Sequence, residues 1–259
     1  TDALQAVIIL VTALVALVHI VDFLGGWGTF LARVEEEHGA WLAQPGPGFF
    51  SFATFVGLTL PWFFFAISNP QVSQRLFTTD DLGAMRTMII GAISFGFLFT
   101  LISILWGFAA LVAVPDLENP DLATPSLIAG TGVPTIVAVP LVIGILAAAI
   151  TTVDSIALTL ASMIGRDVYP RAEPGSNDRR ELIVGKIVIV LVIAAAALFA
   201  SMRLDLISLL SVASSAALLV IVPAFVGAFF WRRGTAAGAL TSVLGGTATV
   251  IMFQFGGLD

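Results

Sequence analysis

Long apolar runs separated by short polar connectors make up almost the whole chain, and their lengths decide what they are. A helix rising 1.5 Å per residue needs about 20 apolar residues to cross roughly 30 Å of hydrocarbon. The runs reach that length, and their Leu, Ile, Val, Ala and Phe content lacks the alternation of a barrel strand, so the spans are predicted as helices. The pattern predicts about seven, over residues 3–24, 49–69, 87–114, 133–165, 182–201, 204–230 and 235–255. Basic residues alternate between the connectors. Those after the second, fourth and sixth spans carry Arg75 and Arg86, then Arg166, Arg171, Arg179 and Arg180 with Lys186 just inside the next helix, then Arg232 and Arg233. The others carry only Arg33 and Arg203. Lys and Arg concentrate in cytoplasmic loops, which places the first residue at the cytoplasmic face and the last outside.

Polar and helix-breaking residues interrupt this pattern at informative places. The first span opens with TDALQ, where Asp2 and Gln5 read most simply as an acidic N-cap and an interfacial glutamine at the cytoplasmic mouth. His19 and Asp22 lie three apart near its outer end, either as a titrating pair or as an interfacial pair facing water. Gly25 and Gly26 permit a left-handed exit. In the second span Pro61 and the Asn69-Pro70 step predict a kink near Leu60 and a break near Asn69. Broken helices at membrane depth face protein or a wet cavity, so Trp62, Phe65, Ser68 and Asn69 are candidate lining residues; the alternative is a plain kink filled by neighbours. A short amphipathic helix follows, with Thr79 or Asp80 as cap of the next segment. The third span carries small residues suited to helix packing. The outer connector PDLENPDLATPSLIAGTGVP is either a structured lid or a simple link.

The fourth span, which contains AAAITTVDSIALTLASMIGRDVY, is the most unusual. It starts after Pro134 with a bend expected at Pro140. Ala148, Thr151, Thr152, Ser155, Thr159 and Ser162 form one polar stripe. The carbonyl at 148 and the hydroxyls at 151 and 152 fall within one turn, as half of a site for a hard monovalent cation would require. The competing reading is that the hydroxyls simply bond back to helix carbonyls. Asp154 costs roughly 2.5–3.5 kcal/mol near a span centre, so it faces the bundle or water, as part of an ion path or paired with a serine or backbone donor. In the sixth span Ser208, Ser211, Ser214 and Ser215 recur at helical spacing, either lining a cavity or allowing close packing. Glycines at 234, 238, 245 and 246 suit tight association of the last span.

Composition agrees with a membrane protein and narrows its chemistry. The chain is 58% hydrophobic and 11% charged, with mean hydropathy +1.05, far from the roughly 25% charged of soluble domains. With no cysteine and two histidines, disulfides, thiolate metal sites and histidine-rich metal sites are excluded, and no nucleophile–base set points to an enzyme. No cofactor and no nucleic-acid partner are expected. The start at Thr1, without methionine or a basic leader, predicts no signal peptide and a portion of a longer protein.

TDALQ, the GGWG ending the first span, NPQVSQRLF, AAAITTVDSIALTLASMIGRDVY and WRRGTAAGALTSVLGG occur in the order and spacing of a known family. The chain resembles the sodium:solute symporter family, which includes proline, pantothenate and sodium-glucose carriers. The resemblance implies an all-α integral membrane protein with part of a leucine-transporter-type fold. The first span would be the last helix of the first inverted repeat, spans two to six the second repeat, and span seven the following helix. Residues 1–259 would form a single transmembrane domain lacking the first core helices, which become its partners along with the lipid bilayer. By the same resemblance Ala148, Thr151 and Thr152 hold sodium, the only metal implied, and Asp2 lies along the ion pathway, to which the cost of a charge near the span centre adds Asp154. The resemblance also puts Trp62 on the substrate-facing side, where the break in the second span adds Phe65 and Asn69, although Ala66 replaces a tyrosine of proline-carrier-like members. The implied function is sodium-coupled symport of a small organic solute at the cell membrane. A sensory module of a signalling protein and a proton-coupled carrier are the alternatives.

Overall fold

The computed structural model describes residues 2–43, 51–173, 175, 177–201 and 206–255, with the side chains of 2, 172, 206–215, 254 and 255 outside that description. In chain order the helices are α1 (Asp2–Phe23), α2 (Gly26–His38), α3 (Phe52–Phe63), α4 (Phe65–Ser68), α5 (Pro70–Leu76), α6 (Leu82–Ala113), α7 (Ala123–Gly130), α8 (Thr135–Ser162), α9 (Tyr169–Ala172), α10 (Asp178–Ser201), α11 (Leu206–Phe230) and α12 (Ala236–Phe255). No strand occurs among the described residues, and the protein is an all-α membrane protein. Five helical stretches are long and apolar enough to cross a bilayer: α1, α6, the run from α8 through α9, α10 and α12. The sixth expected crossing is the 25-residue α11.

The second expected crossing is interrupted. Helix α3 has 12 residues, only about 18 Å at 1.5 Å per residue. Pro61 offers no N–H to Gly57, yet the helix continues through it and gives way at Phe64, whose N–H reaches the Pro61 carbonyl at 3.1 Å. The kink expected near Leu60 therefore falls a turn later. The break at Asn69 is where the sequence places it: this residue is extended (φ −94°, ψ 111°) ahead of Pro70, as the proline ring requires. Helix α6 begins at Leu82, so Asp81, not Thr79 or Asp80, directly precedes it.

The chain divides into two compact units, Thr1–Gly39 with Leu82–Leu204 and Ala40–Asp81 with Asp205–Asp259. In the first, the α1 stripe Ile9, Ala13, Ala16, Leu17, Ile20 and Leu24 is buried against residues of α6, α7 and α8, and its three-and-four spacing puts every member on one helix face. Helix α1 ends at Gly25 and Gly26, both left-handed with φ of 97° and 87°. There α2 starts, a helix absent from the sequence expectation, which buries Phe30 and Val34 one turn apart. Arg33 anchors it by donating to the Val112 carbonyl at 3.3 Å and the Glu37 carboxylate at 3.0 Å. The guanidinium bond holds the Glu37 carboxyl below the ordinary carboxylate range.

The outer connector is a folded element. Asn119 caps a short 3-10 turn by accepting the Asp121 N–H at 2.9 Å, and α7 follows with Leu127 fully buried. The second unit packs α11 against α3, α4 and α12. Gly246 faces Val220 of α11, where a Cβ would stand 3.4 Å from the valine methyl, in ordinary contact. Thr235 caps α12, accepting the Gly238 N–H at 3.0 Å.

Candidate ion site on helix α8

Two kinds of close approach hold α8 in place. In its N-terminal half, a Cβ at Gly144 would lie 2.7 Å from Ile9 Cγ1 of α1, a separation carbon atoms do not adopt. Just past its C-terminal end, a Cβ at Gly165 would lie 3.0 Å from the Glu181 carbonyl oxygen, and one at Gly185 3.6 Å from the Ala161 carbonyl oxygen. Small residues therefore bring α1 and α10 against α8 at different heights. Helix α8 runs through Pro140 without interruption.

Contacts at two levels fix how α1 and α8 run. His19 Nε2 is 3.3 Å from the Thr131 carbonyl oxygen, just ahead of α8, while Ile9 meets Gly144. As numbers fall along α1 they rise along α8, so the pair is antiparallel. Seven residues back from Ile9 is Asp2 and seven on from Gly144 is Thr151, which sets the α1 start level with the threonines. The Asp2 side chain lies outside the described residues. His19 bonds across to the α7–α8 turn, whereas Asp22 is exposed, so the two do not form the interfacial pair.

On α8 the three oxygens do converge. Thr151 donates its hydroxyl to the Ala148 carbonyl at 3.1 Å and Thr152 donates to the same carbonyl at 2.8 Å. Both bonds are the backbone-directed kind common for threonine in membrane helices. They leave the hydroxyl oxygens with free lone pairs, because a hydroxyl donates one hydrogen and accepts two. The Ala148 carbonyl is the busier atom, and its use as a cation ligand requires at least one hydroxyl to rotate away. Ala148 and Thr151 are half-buried and Thr152 is exposed. Further along the stripe Thr159 is buried and Ser162 exposed. Asp154 is exposed on an adjoining face, with no hydrogen bond or ion pair among the described residues.

The helix then continues past its expected end. Met163–Val168 form a π-turn leading into α9, because Pro170 lacks the N–H that an α-helix would direct to the Arg166 carbonyl. Pro170 was the available signal for this feature, and the Phe30–Val34 spacing was the signal for α2.

A second group of expected site residues gathers at the α3–α4–α5 break, in the other compact unit. The Trp62 and Phe65 rings lie 5.0 Å apart with planes tilted by 32°, and Trp62 is well exposed. The Asn69 side-chain oxygen is engaged in capping α5, accepting the Gln71 N–H at 3.0 Å. Ser68 is buried, and its hydroxyl donates to the Phe64 carbonyl at 2.8 Å. Ser208, Ser211, Ser214 and Ser215 have side chains outside the described residues.

The model of the sodium:solute symporter family matches residues 1–246. The chain belongs to that family. An uncharacterized symporter from Cupriavidus necator is 30% identical over 148 residues, covering 56% of this chain and 21% of the relative. The match thus spans about a fifth of that relative's length. No solved structure matches the chain. As a member of the sodium:solute symporter family the chain is a multi-pass membrane protein, and the family is one of transporters.

Proposed function

We propose that the chain forms part of a carrier that couples sodium to the uptake of a small organic solute by alternating access. The observation that carries this reading is the convergence of the Thr151 and Thr152 hydroxyls on the Ala148 carbonyl. Neutral oxygens suit a hard monovalent cation, and the remaining ligands come from a facing helix. Sodium binding at this level favours the outward-open state, because a ligand shifts an equilibrium only by its difference in affinity for the two states. Solute binds against Trp62, Phe65 and Asn69, and inward opening releases sodium toward Asp2, which the antiparallel register of α1 puts level with Thr151. The basic connectors support an orientation with the first residue in the cytoplasm and the last outside, and uptake of a solute implies the plasma membrane.

The test is solute uptake by the full-length protein as sodium is varied. Thr151→Ala with Thr152→Ala removes two hydroxyl oxygens and raises the sodium concentration for half-maximal uptake by about tenfold or more, a change of about 1.4 kcal/mol or more. Thr→Ser at both positions keeps the oxygens and most of the affinity. Unchanged sodium dependence in the double alanine variant would sink the reading. A second reading, proton coupling, draws support from Asp154, an acid on a membrane span without a partner among the described residues.

A further inference from the structure

A groove of about 920 Å³ opens where the α8 π-turn meets the start of α10. Gly165 and Gly185 form its floor, since neither has a side chain to fill the crossing of the two helices. Arg166 stands on one wall, and Arg179 and Lys186 stand on the other, seven residues apart and so on one face of α10. Among the described residues none of these three cations has an ion-pair or hydrogen-bond partner, whereas neighbouring Arg180 pairs with Glu173 at 3.5 Å. Asp178 and Glu181 line the same rim. They occupy the first turn of α10, where free backbone N–H groups favour carboxylates. Three cations against two carboxylates leave the groove with one net positive charge.

The lining changes character with depth. Leu158, Leu182 and Ile189 share the groove with the cations. The ten helical rises from Arg179 to Ile189 span about 15 Å, from the connector into the apolar part of the span. Lys186 lies beyond the midpoint, and its long stem lets the ammonium reach back toward the polar end. A singly charged headgroup above a hydrocarbon chain has this same gradient, whereas a free anion uses only the polar end.

We propose that the groove between the π-turn and α10 is a binding site for an anionic phospholipid. The phosphate sits among Arg166, Arg179 and Lys186, and an acyl chain runs along Leu158, Leu182 and Ile189. Basic pockets between spans at the membrane surface hold acidic headgroups by the same combination of charge and apolar wall. The proposal is independent of which ion or solute is carried.

The experiment equilibrates the purified full-length protein with equal amounts of phosphatidylglycerol and phosphatidylcholine and counts retained lipid by native mass spectrometry. Wild type retains phosphatidylglycerol over phosphatidylcholine by about tenfold or more. Arg166→Gln with Arg179→Gln and Lys186→Gln abolishes that preference, and Lys186→Arg alone keeps it. Millimolar inorganic phosphate leaves retention unchanged. Equal retention of the two lipids by wild type overturns the proposal, as does a triple variant that keeps the preference. Displacement by inorganic phosphate also overturns it, in favour of a free-anion site. A second measurement needs no variant: photoactivatable phosphatidylglycerol crosslinks within residues 158–189 in wild type, and crosslinks confined to other segments refute the site.

Discussion

Single residues carry the chemistry here, and most of them serve two purposes. The Thr151 and Thr152 hydroxyls are satisfied by Ala148, so the helix carries no unpaired hydroxyl donor there, while their lone pairs stay available. The sequence put these oxygens within one turn; that both bonds fall on a single carbonyl is a matter of rotamer, which sequence does not specify. Asn69 was legible as a break because proline follows it, but its capping of α5 became visible only in the folded backbone. Asp154 separates the two coupling schemes. Under sodium coupling, Asp154→Asn slows uptake and leaves its dependence on external pH unchanged. Loss of that pH dependence in the variant, with uptake retained at acidic pH, would favour proton coupling instead.

At the level of elements, helix contacts depend on the absence of side chains. Without a hydrophobic driving force between spans, close packing supplies much of the association energy, and Gly144 is the tightest such point in the α1–α8 pair. Gly144→Ala is expected to cost about 1–3 kcal/mol, because β-branched Ile9 has little rotamer freedom with which to give way. Thermal unfolding of the detergent-solubilised protein reads that loss. Ile9→Ala in the same background relieves the clash, so the double variant loses less than the two single losses combined. Additive losses would show that the two side chains do not meet. Apolar run length found the long helices α1, α6, α8, α10 and α12 because a span must satisfy its backbone internally. It missed α2, whose stability comes from burying Phe30 and Val34, and it ended the fourth span at Gly165, inside the π-turn Met163–Val168, because apolar run length carries no sign of the change in helical hydrogen bonding ahead of Pro170.

At the scale of the whole molecule, the proposed orientation predicts which cysteines react from outside, and none of these 259 residues is a cysteine that would add background. Glu118→Cys, in the folded outer connector, is expected to react with a membrane-impermeant maleimide on intact cells. Asn177→Cys, ahead of α10, is expected to react only after lysis. The reverse pattern would invert the proposed orientation. The sequence by itself determined that this is an all-helical, multi-pass membrane protein of the sodium:solute symporter family, that the second crossing breaks at Asn69, and which oxygens share a turn. Those features follow from run length, proline chemistry and helical period, all local properties of the chain. Only the tertiary structure decided the antiparallel register that sets Asp2 level with Thr151, the fold of the outer connector around Leu127, and the charged groove beside α10. Each depends on which surfaces meet across long stretches of sequence, and that is fixed by the shape left where side chains are small.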